Sequence, residues 1–264
     1  MSKAKDKILL FIPAYNCENQ ITRVLSQLDS EIMQYITEVI VVNNRSTDNT
    51  EQAVLDFAEA HPEIPLHLLR NADNYGLGGS HNVAFGYAVK NKFDEIIVLH
   101  GDDQGNIHDF LPVLKKKLYK AYDCILGARF MLGSRLEGYS LFRTFGNVVY
   151  DFLFAAAIRQ RVFDLGSGLN MYQVSMLKDG FYERFPDDLT FNYCMVMALR
   201  FYNQTCRFFP ISWRETDQVS NVKMTSQAIK VLKMLFSFVD CPTTIRGEYR
   251  TKVVDSYRAE EITR

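Results

Sequence analysis

Apolar residues in the first hundred positions concentrate in short strand-like runs, separated by stretches in which they recur at helical spacing. The runs occupy residues 8–12, 38–42, 66–69 and 95–99 and are rich in Val, Ile and Leu, which suits strands covered on both faces. Between the first two, Ile21, Val24, Leu25 and Leu28 keep a helical period; between the next two, Ala53, Val54, Phe57 and Ala58 do the same, and residues 82–91 supply a further helix. This alternation predicts a parallel, doubly wound α/β sheet. Beyond residue 105 the pattern predicts a helix over 110–120, a strand over 123–126, a loop carrying Gly127, Gly133 and Gly138, helices over 142–160 and 189–202, a strand over 207–213 and an amphipathic helix over 224–238. No internal repeat, linker or low-complexity tract interrupts the chain. The expected division is one domain over residues 1–223, followed by a C-terminal amphipathic helix and tail over 224–264.

Composition narrows the class. In 264 residues, 47% hydrophobic and 13% aromatic content provide for a substantial core. A net charge of −1 offers no basic field for nucleic acid, so that partner is not expected. The five cysteines form no CxxC pair, which argues against a zinc site or a disulfide framework and for a reducing cytoplasm. The N-terminus leads straight into a strand-like run and does not read as a signal peptide. Two later apolar segments, 148–158 and 231–239, are expected to fall short of the roughly 20 residues that cross a bilayer, and the first contains Asp151.

Chemistry concentrates where the fourth apolar run ends, at His100-Gly-Asp102-Asp-Gln104. In open α/β sheets ligands collect beyond the carboxyl ends of the strands. While the backbone stays extended, His100, Asp102 and Gln104 share one side and could converge on a cation and its phosphate ligands. The cluster Gly76-Leu-Gly78-Gly79 does not have GxGxxG spacing, and no such cluster follows the first strand, which disfavours a dinucleotide-binding oxidoreductase.

Several separated motifs then come in a characteristic order: Pro13-Ala14-Tyr15-Asn16, Val41-Val42-Asn43-Asn44-Arg45-Ser46-Thr47-Asp48, Asn74-Tyr-Gly76 with Asn82 and Gly86, the His100 to Gln104 element, Gly127-Ala128-Arg129-Phe130, Asp164-Leu-Gly-Ser167-Gly168, and Trp213-Arg214 through Ser220 to Lys223. Together, over about residues 8–223, they resemble the family 2 glycosyltransferases, in particular the branch like dolichyl-phosphate mannose synthase. The resemblance implies a GT-A fold: a Rossmann-like, mostly parallel sheet flanked by helices, with a C-terminal helical extension. It implies that Pro13, Ala14 and Tyr15 pack on the nucleotide base and ribose, that Asn43 and Asn44 face the base, and that Asn74 and Gly76 enter the helix beside it. Asp102 and Gln104 become contacts to Mn²⁺ or Mg²⁺ or to diphosphate, with His100 a ligand or a hydrogen-bond donor to phosphate. Arg129, Arg143, Arg214 and Lys223 become the cations around the leaving diphosphate.

The departures from the family pattern are chemical. Asn43 and Asn44 stand where the motif carries carboxylates, Arg45 stands for its glycine, and His100 stands for its first Asp. Exchanging a carboxylate for an imidazole lowers the charge of the site and should weaken Mg²⁺ more than Mn²⁺.

The resemblance further implies a single inverting displacement in which the acceptor attacks as nucleoside diphosphate leaves. A sugar hydroxyl needs a general base, whereas a polyprenyl phosphate is already anionic. Within Pro186-Asp187-Asp188-Leu189-Thr190, Asp188 is the candidate base, and a helix cap is the alternative role. Phe142, Phe145, Val148, Val149, Phe152, Leu153 and Phe154, then Ile229, Val231, Leu232, Met234, Leu235 and Phe238 beside Lys230 and Lys233, read as interfacial helices or as core or homodimer contacts. The expected protein is therefore a metal-dependent inverting glycosyltransferase moving a sugar from a UDP- or GDP-linked donor to a lipid-linked acceptor, polyprenyl phosphate or a lipid-linked glycan. It is expected in the cytoplasm, with peripheral contact to the inner face of the membrane. The alternative is a catalytically silent GT-A nucleotide-binding module that serves as an assembly partner.

Overall fold

The structure, a computed structural model, describes residues 5–217 and 224–262. Four strands arise where the apolar runs lie: β1 (Ile8–Ala14), β2 (Glu38–Asn43), β3 (Leu66–Asn71) and β4 (Glu95–Leu99), connected by α1 (Glu18–Leu25), α2 (Ser30–Met33), α3 (Thr50–Ala60) and α4 (Gly76–Lys90). α5 (Leu111–Lys115), β5 (Cys124–Ala128), β6 (Arg135–Glu137), α6 (Leu141–Ile158), β7 (Leu169–Gln173), α7 (Val174–Leu177) and α8 (Phe191–Phe201) follow. The chain then forms β8 (Cys206–Pro210), β9 (Ser212–Arg214), α9 (Met224–Asp240) and β10 (Ala259–Ile262).

The main sheet runs β10-β3-β2-β1-β4-β7-β5-β8, and β6 pairs with β9 in a small second sheet. Strands β3, β2, β1 and β4 are mutually parallel, as are β5 and β8; β7 is antiparallel to both its neighbours and β10 is antiparallel to β3. Helices cover both faces, which explains why the central parallel strands β1, β2 and β4 are apolar at consecutive interior positions. Leu9 and Phe11 point into a core with Phe85 of α4 and Phe191 of α8, while Leu10 and Ile12 point into the opposite core with Ile21 and Val24 of α1.

Four predicted elements differ from the sequence pattern, and α2, β6, β7, α7 and β10 are not foreseen by it. The expected helix over 110–120 is broken into a 3-10 turn at Ile107–Phe110, α5, and a second 3-10 turn at Leu118–Ala121, because Lys117 takes a left-handed conformation with φ 50°. Helix α4 begins at Gly76 rather than Asn82; its glycine-rich first turn hides the helical period. The expected strand over 207–213 divides into β8 and β9 at Ile211. Finally, the apolar segment at 148–158 belongs to the 18-residue α6, the one helix among the described residues long and apolar enough to cross a membrane, and most of it is exposed.

The C-terminal segment returns to the domain. Val231, Met234, Leu235 and Phe238 of α9 are buried in the core that holds Phe85, and Ala259 to Ile262 pair with Asn71 to Leu68.

Candidate functional site

From β1 the chain steps outward to β2 and β3 and then crosses back through α4 to β4 on the other side of β1, a switch in strand order at whose carboxyl ends a crevice is expected. Two backbone bonds close its floor. Gly101 N–H donates to Pro13 O at 3.1 Å and Asn44 N–H donates to Ala14 O at 2.9 Å, which seats Pro13, Ala14 and the exposed Tyr15 between the tips of β2 and β4. A Cβ on Gly101 would stand 2.9 Å from Pro13 O, so this contact requires glycine.

The wall on the β2 side is a buried amide network. Asn43 donates to Glu51 Oε2 at 2.9 Å and accepts from Ser46 N–H at 2.9 Å. Asn44 donates to Asn74 Oδ1 at 2.9 Å and accepts from Asn71 Nδ2 at 3.0 Å and Tyr75 N–H at 2.8 Å. Asn74 also caps Gly76 N–H at 3.1 Å. The two asparagines in place of carboxylates thus knit the loops after β2 and β3 together without introducing charge.

At the β4 tip, Asp102 is partly buried, and burial together with the charge of Asp103 lifts its carboxyl to about 6. Asp103, left-handed at φ 59°, turns its buried carboxylate to Arg23 Nε at 2.6 Å and to the guanidinium of Arg214. Arg214 is held there three more times over: its Nε donates to Asp103 O at 2.8 Å, its backbone N–H donates to Gln104 O at 3.0 Å, and β9, which ends on it, pairs with β6. Next to it, Glu215 accepts from Gln104 Nε2 at 3.4 Å and from Arg143 at 2.5 Å, so α6 is fastened to the same tip.

His100 lies behind the tip with Gly168 against its ring, where a Cβ would come within 2.6 Å of Cγ. Burial, and secondarily the nearby Arg129 charge, lower it to about 4, so the imidazole is neutral at pH 7; its buried Nε2 has no hydrogen-bond partner among the described residues. Arg129 is buried with its fork committed to Asp164, at 2.7 and 2.8 Å, and its cation stacked 4.9 Å from the Trp213 ring. Burial opposes its charge, but Asp164 outweighs that and keeps it protonated.

Asp188 stands at the start of α8. Its carboxylate accepts from Thr190 N–H at 2.8 Å and Oγ at 2.5 Å and from Lys230 Nζ at 2.6 Å; partial burial raises its pKa, but Lys230 and Thr190 prevail and hold it below the usual carboxylate range. Lys223 lies outside the described residues. Among the sequence candidates, the structure brings together Pro13, Ala14, Tyr15, Asn43, Asn44, Asn74 and Gly76 on one side and Asp102, Gln104, Arg214 and Arg143 on the other. Arg129 faces Asp164 instead, and Asp188 faces Lys230. Arg23 and Glu215 were not legible as site residues, because nothing in their local spacing reveals that they meet β4.

The donors also bear on a divalent ion. No three His, Cys, Asp or Glu side chains among the described residues cluster into a cage made by protein alone. Mg²⁺ and Mn²⁺ ordinarily take one or two carboxylates and complete their shell with phosphate oxygens and water. β4 ends at Leu99 and Asp103 turns left-handed, so residues 100–104 do not stay extended with His100, Asp102 and Gln104 on one side; Asp102 and Gln104 still offer oxygen donors of the type an ion shared with a diphosphate takes, and the buried His100 Nε2 has no hydrogen-bond partner among the described residues.

Comparison with known proteins bears on the family and the fold. The profile of Glycosyl transferase family 2 matches residues 10–181. A dolichyl-phosphate beta-glucosyltransferase of Trichomonas vaginalis is 32% identical over 136 residues, covering 48% of this chain and 38% of the relative. A dolichol-phosphate mannosyltransferase of Pyrococcus furiosus is 22% identical over 137 residues, covering 52% and 37%. The chain thus spans less than two fifths of the length of these two relatives. Glucosyl-3-phosphoglycerate synthase from Mycobacterium tuberculosis in complex with UDP superposes with a TM-score of 0.65 at 16% identity, over 90% of this chain and 82% of that one. Another structure of that synthase contains Mn²⁺, UDP-glucose and glycerol 3-phosphate. The shared architecture is the GT-A fold.

Proposed function

The chain belongs to glycosyl transferase family 2, and from that premise we propose that it is an inverting transferase that moves a sugar from a UDP- or GDP-linked donor to a lipid-linked acceptor. The observation that carries this reading is the seating of Arg214, from the far end of the domain, on the acidic tip of β4. A nucleoside diphosphate leaving group gathers negative charge as the glycosyl bond breaks, and preorganised cations beside it lower that barrier. Arg214 is anchored to Asp103 through Nε and one Nη, and its side chain stays 43% exposed. A divalent ion, Mn²⁺ or Mg²⁺, held by Asp102 and Gln104 with His100 behind them, would supply further charge at the diphosphate.

Two features support a lipid phosphate as acceptor over a sugar hydroxyl. The carboxylate of Asp188 is kept ionised by Lys230 and spent on Thr190, a poor setting for a general base, whereas a phosphate acceptor needs positioning only. The second is α6. Phe142, Phe145 and Phe152 are 83%, 69% and 72% exposed, whereas Asp151, Phe154 and Ile158 pack on the domain, so the helix lies along the surface with an apolar outer face. That arrangement supports peripheral attachment at a membrane rather than a span. Arg143, in the first turn of α6 and bonded to Glu215, joins this face to the β4 tip. The relatives that act on dolichyl phosphate are consistent with such an acceptor, while the synthase solved with glycerol 3-phosphate marks the soluble alternative.

Incubating the protein with Mn²⁺ and UDP-glucose or GDP-mannose, with and without short-chain polyprenyl phosphate, tests this. Nucleotide release stimulated by the lipid phosphate, and transfer of sugar to it, is expected; release stimulated only by soluble phosphorylated acceptors would overturn the lipid assignment.

A further inference from the structure

Residues 247–262 run as a strap across the β2 and β3 side of the crevice, fastened by one buried carboxylate. Asp187 accepts from Thr251 N–H at 2.9 Å, Thr251 Oγ at 2.9 Å and Lys252 N–H at 3.1 Å. Its own carbonyl accepts from Gly78 N–H at 2.9 Å in the first turn of α4. Packing there is tight: a Cβ on Gly76 would lie 2.2 Å from Asp187 O, and one on Gly78 would lie 2.0 Å from Pro186 O. Farther along, Tyr257 packs edge-on to Tyr75 with centroids 5.2 Å apart and would meet a Cβ on Gly79 at 3.0 Å. Arg258 O accepts from Ala72 N–H at 2.9 Å, and β10 then pairs with β3. Lys252 Nζ reaches Asn74 O at 3.4 Å.

Residues 71–78 are therefore gripped by the strap, the 186–187 loop and β10. They are also the residues whose Asn71, Asn74 and Tyr75 bonds hold Asn44 in the crevice wall. A loop already ordered before binding costs a ligand less affinity than one ordered by it. We infer that the strap is a clasp that preorganises the wall contacted by the donor nucleotide, with Asp187 as a positioning residue acting through Thr251 and Lys252. This rests on the donor reading above and assigns Asp187 a role separate from that of its neighbour Asp188.

Calorimetric titration of UDP and of GDP with Mn²⁺, paired with amide hydrogen exchange, tests it in Asp187→Asn and in the milder Thr251→Val. The clasp predicts Kd raised about tenfold in Asp187→Asn and about threefold in Thr251→Val, with exchange faster at residues 71–78 and unchanged in β1 and β4. If Asp187→Asn does not fold, Thr251→Val decides. Wild-type protein that binds neither nucleotide overturns the donor reading and the clasp with it. Wild-type binding with folded variants that stay within about twofold of it overturns the clasp alone.

Discussion

Arg214 lies 111 residues after Asp103, yet its guanidinium and backbone both lock onto the β4 tip. Arg214→Ala should lower kcat for donor turnover by about 100-fold or more, and Arg214→Lys should recover only part of it, because an ammonium cannot reproduce the planar fork. Steady-state kinetics with a soluble short-chain acceptor will measure both. Asp151 gives a separate prediction. Burial, reinforced by Asp164, raises its carboxyl to about 8, and its Oδ2 has no partner among the described residues. A group whose folded pKa lies above its unfolded value stabilises the fold most below the unfolded value, and that contribution is lost as pH rises through the folded one. The contribution of Asp151 should therefore decline between about pH 4 and pH 8, against the opposite rise up to about pH 6.5 from the buried, neutral His100. Asp151→Asn should flatten part of that decline in melting curves taken across the range, while Glu95, also raised to about 8 by burial, accounts for a remaining slope. The motif residues at strand ends were legible in the sequence because strand, turn and polar cluster are contiguous. The partners of Asn43 and Asn44 were not, since an amide takes whatever the fold brings near, and here that is Glu51, Ser46, Asn71, Asn74 and Tyr75.

Among the elements, β1 to β4 were readable because both faces of each are covered, which forces consecutive apolar residues. Strand β7 was not: Leu169-Asn170-Met171-Tyr172-Gln173 contains two polar residues that are satisfied by structure elsewhere, Asn170 by Gly127 N–H and Ser167 O, and Gln173 by the carbonyls of Tyr119 and Tyr122. Strand β10, Ala-Glu-Glu-Ile, has too few apolar residues to show a strand period. Helix α6 was legible as a helix, but only the fold reveals that one face is packed and the other bare. Replacing Phe142, Phe145 and Phe152 together by Ser should reduce flotation with anionic liposomes by about 100-fold in partition coefficient, at ~1 kcal/mol per partly inserted ring. Donor hydrolysis in the absence of lipid should be unchanged. Flotation equal to wild type would mean that α6 meets something other than a bilayer.

Across the whole molecule, the crevice is assembled from three distant parts of the chain: the ends of β1 and β2, the end of β4, and the β9 segment that returns from beyond residue 210. The order of motifs predicted this convergence, and the sheet order with β1 between β2 and β4 gives its physical cause. On the proposed function, the β4 tip with Arg214 upon it grips a nucleoside diphosphate together with a divalent ion. Calorimetric titration of UDP, GDP and the corresponding monophosphates into wild type and Asp102→Asn, with Mn²⁺ or with EDTA, tests it most directly. One diphosphate is expected to bind in Mn²⁺ at least about tenfold more tightly than its monophosphate, with EDTA or Asp102→Asn removing this preference. Equal affinity for mono- and diphosphate, unaffected by EDTA and by Asp102→Asn, would contradict it.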